Sequence, residues 1–339
     1  LEGKLSDPKA AKAAGIIDEV VAPEALLARA KEWVMAASDA HLVRPWDAKG
    51  YKMPGGAPYQ PAGFMTFVGA SAMVHGKTMG VYPAAKALLS AVYEGALVPF
   101  DLALKIEARW FTSVLMNPSS SAMIRSLFIN KEALEKGANR PKVPDQTVKK
   151  LGVIGAGMMG AGIAYVAALA GIEVVLIDAA QDSADRGKAH SADLLDKGIA
   201  RKKVTPEKKA EVLARITATT DYAALKGADL VVEAVFEDPK VKAEVTAKVE
   251  AAVGPDCIYA SNTSTLPITM LAKASSRPEQ FIGIHFFSPV DKMALVEIIK
   301  GKATDDRAVA KALDFVRAIR KTPIVVNDAR FFFANRCII

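Results

Sequence analysis

The chain of 339 residues is long enough for about two domains. With 51% hydrophobic and 24% charged residues, and glycine and proline together at about one residue in eight, it is neither collagen-like, low-complexity nor wholly disordered. A net charge of +7 spread over this length suits an acidic small molecule as well as nucleic acid, and nothing in its pattern favours nucleic acid.

Two cysteines, Cys257 and Cys337, are too few and too far apart for a disulfide framework or a metal knuckle. No metal is expected, and a reducing compartment, by default the cytoplasm, is the natural setting. Leu1 is not a start methionine and the run 331–339 stops within an apolar stretch, so the chain reads as a piece of a longer protein. No basic segment followed by an apolar one opens it, so no secretion signal is expected.

In chain order, Pro23 sits where a first helical turn tolerates it, and Leu26, Leu27, Ala30 and Val34 follow at helical spacing. Residues 44–77 are Gly/Pro-rich and aperiodic, which predicts an irregular connector. Its uncharged part, 54–75, carries Pro54, Pro58 and Pro61 and reads as a loop, not a membrane span. Helical spacing resumes at 83–93, and again from Asp101, taken as an N-cap, through Ile106, Trp110, Phe111 and Leu115, whose aromatic rings read as core packing. The polar stretch 137–147, with Pro141 and Pro144, reads as a boundary.

Beyond it, β-rich runs at 151–154, 174–177, 230–235, 257–260, 281–286 and 295–299 alternate with helical stretches such as 238–253 and 305–319. That alternation predicts an α/β fold of βαβ units with a mainly parallel sheet. Residues 151–172 are uncharged for long enough to span a bilayer, but glycines punctuate them in a pattern with a better explanation.

Gly155, Gly157 and Gly160 fit G-x-G-x-x-G between a buried strand and a small-residue helix. Gly155 makes the tight turn, Gly157 lets the backbone approach a pyrophosphate, and Gly160 lets helix and strand pack closely. The next strand ends in Asp178, whose carboxylate can accept hydrogen bonds from an adenosine ribose and would repel a 2′-phosphate, so NAD is favoured over NADP. Ser264 follows another β run, and His285 closes a further one before a Ser288-Pro289 turn. After that turn the chain can double back and set Glu297 across from His285; a carboxylate beside an imidazole suits a general base that takes a hydroxyl proton.

The run from Gly155 through Asp178, the Val232-to-Glu237 segment, Ser261-Asn262-Thr263-Ser264, His285-to-Val290, Leu295-Val296-Glu297 and Asn335-Arg336 together resemble the L-3-hydroxyacyl-CoA dehydrogenases. Over its whole length the chain is similar to the α-subunits of bacterial multifunctional fatty acid oxidation complexes, with residues 1–45 like the helical tail of an enoyl-CoA hydratase domain. The resemblance implies a linker with helices at 46–147, a Rossmann-type NAD-binding domain at 148–327 and the start of a C-terminal helical domain at 328–339. It implies NAD-dependent oxidation of L-3-hydroxyacyl-CoA to 3-ketoacyl-CoA in fatty acid β-oxidation, with a thiolase β-subunit as partner. His285 would be the base, Glu297 its partner, and Ser264 and Asn335 the substrate hydrogen-bonders. Cofactor contacts would fall on Met159, Asp178, Val235, Glu237, Lys242 and Ser264, with Ser288 near the nicotinamide.

Ser288 stands where many relatives have Asn, Thr265 where many have Ser, and Phe331 where Gly is usual. The hydratase's acidic pair would precede Leu1, so no hydratase site is expected, and turnover by the chain alone is expected to be low. The basic run Arg201-Lys202-Lys203 reads first as a solvated helix end, with CoA phosphates as the alternative. Two other functions compete: an NAD-independent scaffold module that docks a thiolase, and a dehydrogenase of small 3-hydroxy acids that uses a lysine base.

Overall fold

In this computed structural model, which describes residues 5–338, the chain divides into two units, Leu1–Phe128 and Ile129–Ile339. Residues 1–4, where the likeness to a hydratase tail begins, and residue 339 lie outside the described residues.

The first unit is helical: α1 (Pro8–Ala13), α2 (Leu26–Ala36), α3 (Pro61–Thr78), α4 (Pro83–Gly95), α5 (Phe100–Leu115) and α6 (Pro118–Ile124). Proline opens α1, α3, α4 and α6, where its fixed φ is pre-organised and its missing N–H is not needed. The expected loop at 54–75 is corrected by α3. Its prolines all precede or open the helix, and the residues after Pro61 are small or unbranched enough to continue it. Among the described residues no helix is long and apolar enough to cross a membrane.

Helix α5 starts one residue before Asp101, which therefore lies in the first turn and not at the cap; its charge still suits a helix N-terminus. Glu94 of α4 pairs with Arg109 of α5 and accepts 2.9 Å from the Trp110 indole N–H. Phe67 and Tyr93 meet edge to face at 5.0 Å. The reading of the α5 aromatics as core is corrected for Phe111, which is 64% exposed. Among the described residues of this unit the buried positions are Pro58, Gly63 and Ala87, so no core layer covers the α5 stripe.

The second unit opens with α7 (Lys131–Glu135) and continues as β1 (Lys150–Ile154), α8 (Met158–Leu169), β2 (Glu173–Ile177), α9 (Gln181–Ala200), α10 (Pro206–Ala214), β3 (Ile216–Thr219), β4 (Leu230–Glu233), α11 (Pro239–Ala252), β5 (Ile258–Ser261), α12 (Ile268–Leu271), β6 (Phe281–Phe286), β7 (Leu295–Lys300), α13 (Asp306–Ala318), β8 (Thr322–Asn327) and α14 (Ala334–Ile338). The sheet order is β3-β2-β1-β4-β5-β6-β7-β8. Every neighbouring pair is parallel except β6 with β7. These are the βαβ units and mainly parallel sheet expected from the alternating pattern, in the doubly wound, Rossmann-type order that the resemblance implies.

Strands β3 and β8 escaped the sequence reading for a common reason. Each lies at a sheet edge, and β3 is four residues, half of them threonine, while β8 carries Pro323, which an edge strand tolerates. The strand read at 230–235 ends at Glu233, where the chain leaves the sheet toward α11.

Strand residues alternate between two cores. Leu151, Val153, Val174, Leu176, Leu230 and Val232 pack with α8 and α13, while Ile154, Val175, Ile177 and Val231 pack with Val245 and Val249 of α11. Burial on both faces is what a parallel sheet requires. Arg140 fastens the lead-in to β1: its Nε and Nη2 donate to the Asp314 carboxylate of α13 at 2.7 and 2.8 Å, and Nη1 donates to the carbonyls of Pro141 and Val143. The order reverses between β1 and β4, so the carboxyl ends of β1, β4, β5 and β6 border the crevice where such sheets take their ligands.

Candidate active site

The glycine turn follows β1 as the sequence predicts. Gly155 has φ +95°, and a Cβ there would sit 2.6 Å from the carbonyl oxygen of Ala234; at Gly160 it would come within 1.7 Å of the Gly155 carbonyl oxygen. Both positions exclude any side chain. A Cβ on Gly157, the N-cap of α8, would meet nothing within 4 Å, so the backbone there borders open space at the N-terminus of a twelve-residue helix. A dinucleotide's pyrophosphate fits that cradle: amide donors, a helix dipole and no Cβ in the way.

Asp178 directly follows β2, beside this turn. Its Oδ2 accepts 2.7 Å from the Ala156 amide and its Oδ1 accepts 2.7 Å from Ala179. Each carboxylate oxygen keeps a further lone pair, so the group that would meet a ribose also holds the glycine turn in place. Met159 is half-buried against the core behind the turn, and Ser288, exposed, reaches the Met158 sulfur at 3.6 Å.

The end of β4 carries a second group. Lys242 of α11 is 3% exposed, and its ammonium lies 2.9 and 3.1 Å from the two Glu233 oxygens and 3.1 Å from Glu237. The ammonium is thus occupied by two carboxylates. Glu237 Oε1 accepts from the Thr263 hydroxyl at 2.5 Å and from the Ser264 and Thr265 amides at 3.0 and 3.3 Å. Burial pushes the Glu237 carboxyl up, but Thr263, Lys242 and the Ser264 amide outweigh it and hold the group below its ordinary value. The Val235 amide donates to Glu233 at 3.3 Å. Glu233 itself was not singled out by the sequence reading; the signal was a lone acid closing an apolar strand.

The antiparallel pairing of β6 with β7 sets His285 opposite Glu297 in register. Nδ1 of His285 lies 2.8 Å from Glu297 Oε2, with both residues buried. An imidazole that donates from Nδ1 to a carboxylate keeps Nε2 as its basic nitrogen. The ring lies 4.6 Å from Phe287 and 5.8 Å from Phe332, measured between centroids. Glu297 Oε1 accepts from the backbone amides of Phe333 and Ala334 at 2.9 and 2.8 Å, partners the sequence did not announce. Burial raises the Glu297 carboxyl, but the His285 side chain and the two amides outweigh it and leave the group below its ordinary value.

The same segment brings Asn335 to the site: its Nδ2 lies 3.4 Å from the carbonyl oxygen of Ser264. Phe331 and Phe332 hold φ of +64° and +52°, so the backbone is left-handed at the position where the resemblance expects glycine. The structure therefore joins His285 to Glu297, Ser264 to Asn335, and Ser264 to Glu237 and through it to Lys242. Arg201, Lys202 and Lys203 are exposed just beyond α9.

Comparison with known proteins agrees with the NAD-binding fold. The sequence profile described as "3-hydroxyacyl-CoA dehydrogenase, NAD binding domain" matches residues 150–329. The (S)-3-hydroxybutyryl-CoA dehydrogenase of Ralstonia eutropha is 40% identical, over 57% of this chain and 68% of that one, with a TM-score of 0.56. The 3-hydroxybutyryl-CoA dehydrogenase of Escherichia coli K12 is 35% identical over 54% of this chain and 39% of its own, with a TM-score of 0.53. The dehydrogenase part of multifunctional enzyme 1 from C. elegans is 29% identical over 60% and 49%, with a TM-score of 0.51.

Proposed function

The chain belongs to the 3-hydroxyacyl-CoA dehydrogenase family and binds NAD, and on that premise we propose that it serves the oxidation of L-3-hydroxyacyl-CoA to 3-ketoacyl-CoA in fatty acid β-oxidation. The observation that carries this reading is the 2.8 Å bond between His285 and Glu297 at the strand ends beside the glycine turn.

His285 Nε2 takes the proton of the substrate hydroxyl as the carbon–oxygen double bond forms. Glu297, ionised and held by two backbone amides, fixes the tautomer and stabilises the imidazolium. NAD, when bound, supplies the acceptor for the hydride that leaves the same carbon. Asn335 and Ser264 hold the reacting oxygens, and the Gly157 cradle and Asp178 hold the dinucleotide. The C. elegans neighbour is itself the dehydrogenase part of a multifunctional enzyme, which supports placing this chain in a multifunctional protein; a cytoplasmic setting and transfer of the 3-ketoacyl product to a thiolase complete the proposal.

The test is NADH formation from NAD with each enantiomer of 3-hydroxybutyryl-CoA and with free 3-hydroxybutyrate. Turnover of the L-thioester only, at the low rate anticipated for this chain by itself, is the expected result. Preference for the free acid, or for the D-enantiomer, would overturn the reading.

A further inference from the structure

Glu233 is 1% exposed and closes β4 at the rim of the crevice, yet none of the chemistry above uses it directly. Its carboxylate is fully engaged. One oxygen accepts from the Ser261 hydroxyl and from Lys242, the other from Lys242 and from the Val235 amide. Its backbone carbonyl accepts from the Asn262 amide at 2.8 Å.

All of these bonds except that of Val235 lead to the loop after β5. The Ser261 hydroxyl in turn accepts from the Thr263 amide at 3.2 Å, and Lys242 is shared with Glu237, which holds Thr263, Ser264 and Thr265. The loop is thus held from two sides through one carboxylate: directly by Ser261, and by relay through the ammonium to Glu237. A buried ion pair is a poor device for stability alone, because its desolvation cost consumes most of the attraction and an apolar pair would serve as well. What an ion pair does supply is a fixed geometry, and the partners here aim that geometry at one loop.

We infer that Glu233 is a positioning residue for NAD affinity: through Ser261, and through Lys242 and Glu237, it sets the 261–265 loop that carries Ser264. The inference rests on the proposed function and on the cofactor contacts at Glu237 and Ser264 that the family resemblance implies.

Fluorescence titration of the whole chain with NADH, at a temperature well below each variant's unfolding midpoint, tests it. Glu233→Gln should weaken NADH binding about tenfold while the protein stays folded by circular dichroism. Because the two carboxylates act through one ammonium, Glu233→Gln/Glu237→Gln should bind little worse than Glu237→Gln alone. Ser261→Ala, which removes a single hydroxyl and spares the ion pair, should show a smaller loss and serves where Glu233→Gln does not fold. A folded Glu233→Gln that keeps the parent's NADH affinity, or additive losses in the double variant, would make the pair merely structural and overturn the inference. So would unchanged affinity in Ser261→Ala where Glu233→Gln fails to fold. An unchanged affinity in Glu237→Gln is a different failure: it would remove the loop from the cofactor site and with it the reading on which the inference stands.

Discussion

Glu297 stands directly across the β6–β7 pair from His285 and divides its carboxylate, one oxygen 2.8 Å from the imidazole Nδ1 and the other on the amides of Phe333 and Ala334. The carboxylate is therefore held independently of the ring it orients. His285→Gln should lower dehydrogenation by about a hundredfold or more, the usual scale for a lost general base, while NADH affinity stays near that of the parent. Parallel loss of both would mean that the histidine shapes the cofactor site.

Glu297→Gln should slow turnover, since an uncharged amide beside Nδ1 no longer fixes the ring's tautomer or stabilises the charge that forms on it. An unchanged kcat/KM would sever the two side chains functionally.

The same carboxyl predicts a pH dependence of stability. Its value in the fold lies below that of the unfolded chain, so its contribution is complete above the unfolded value, about 4.3, and is lost as pH falls through the folded value. Thermal melts of the parent and Glu297→Gln should therefore differ most near neutrality and converge progressively as pH falls below the unfolded value. A gap that widens on acidification would contradict the bonds to His285 and the two amides.

Asp178 both clasps the glycine turn and presents its charge where a 2′-phosphate would lie. Asp178→Asn keeps an acceptor for Ala156 but removes the repulsion, so the preference for NADH over NADPH should narrow. Titration with both nucleotides decides this, and an unchanged ratio would place the discrimination elsewhere.

Gly160→Ala would push a methyl group into the Gly155 carbonyl and force helix α8 away from β1. A loss of about 1–3 kcal/mol, the cost of overpacking, is expected in denaturant melts, together with weaker NADH binding. A stable variant with normal affinity would show that the turn has room the structure denies.

Phe331→Gly tests the opposite case. Phe331 holds φ at +64° with a side chain that this region disfavours by about 1–2 kcal/mol, and glycine removes that strain at the turn leading to Asn335. The variant should melt at or above the parent's temperature. A clear drop would mean that the ring's packing outweighs the backbone strain.

Much of the second unit was legible because its signals are local. Apolar runs of strand length, the spacing of Gly155, Gly157 and Gly160, and Asp178 at the next strand's end determine a βαβ dinucleotide fold through sterics that act within about thirty residues. The hairpin from His285 to Glu297 was legible for the same reason, since a turn at Ser288-Pro289 sets the register of its two flanking strands. Edge strands β3 and β8 were not, because an edge needs less apolar sequence than a centre. Helix α3 was hidden by prolines that mark its start, and the exposure of Phe111 by a periodicity that says which face is apolar but not whether anything covers it. Only the tertiary structure could bring Glu233 to Lys242 and Ser261, or the amides of Phe333 and Ala334 to Glu297, since backbone amides carry no sequence signature and a buried carboxylate's partners depend on which strand ends the sheet order places side by side.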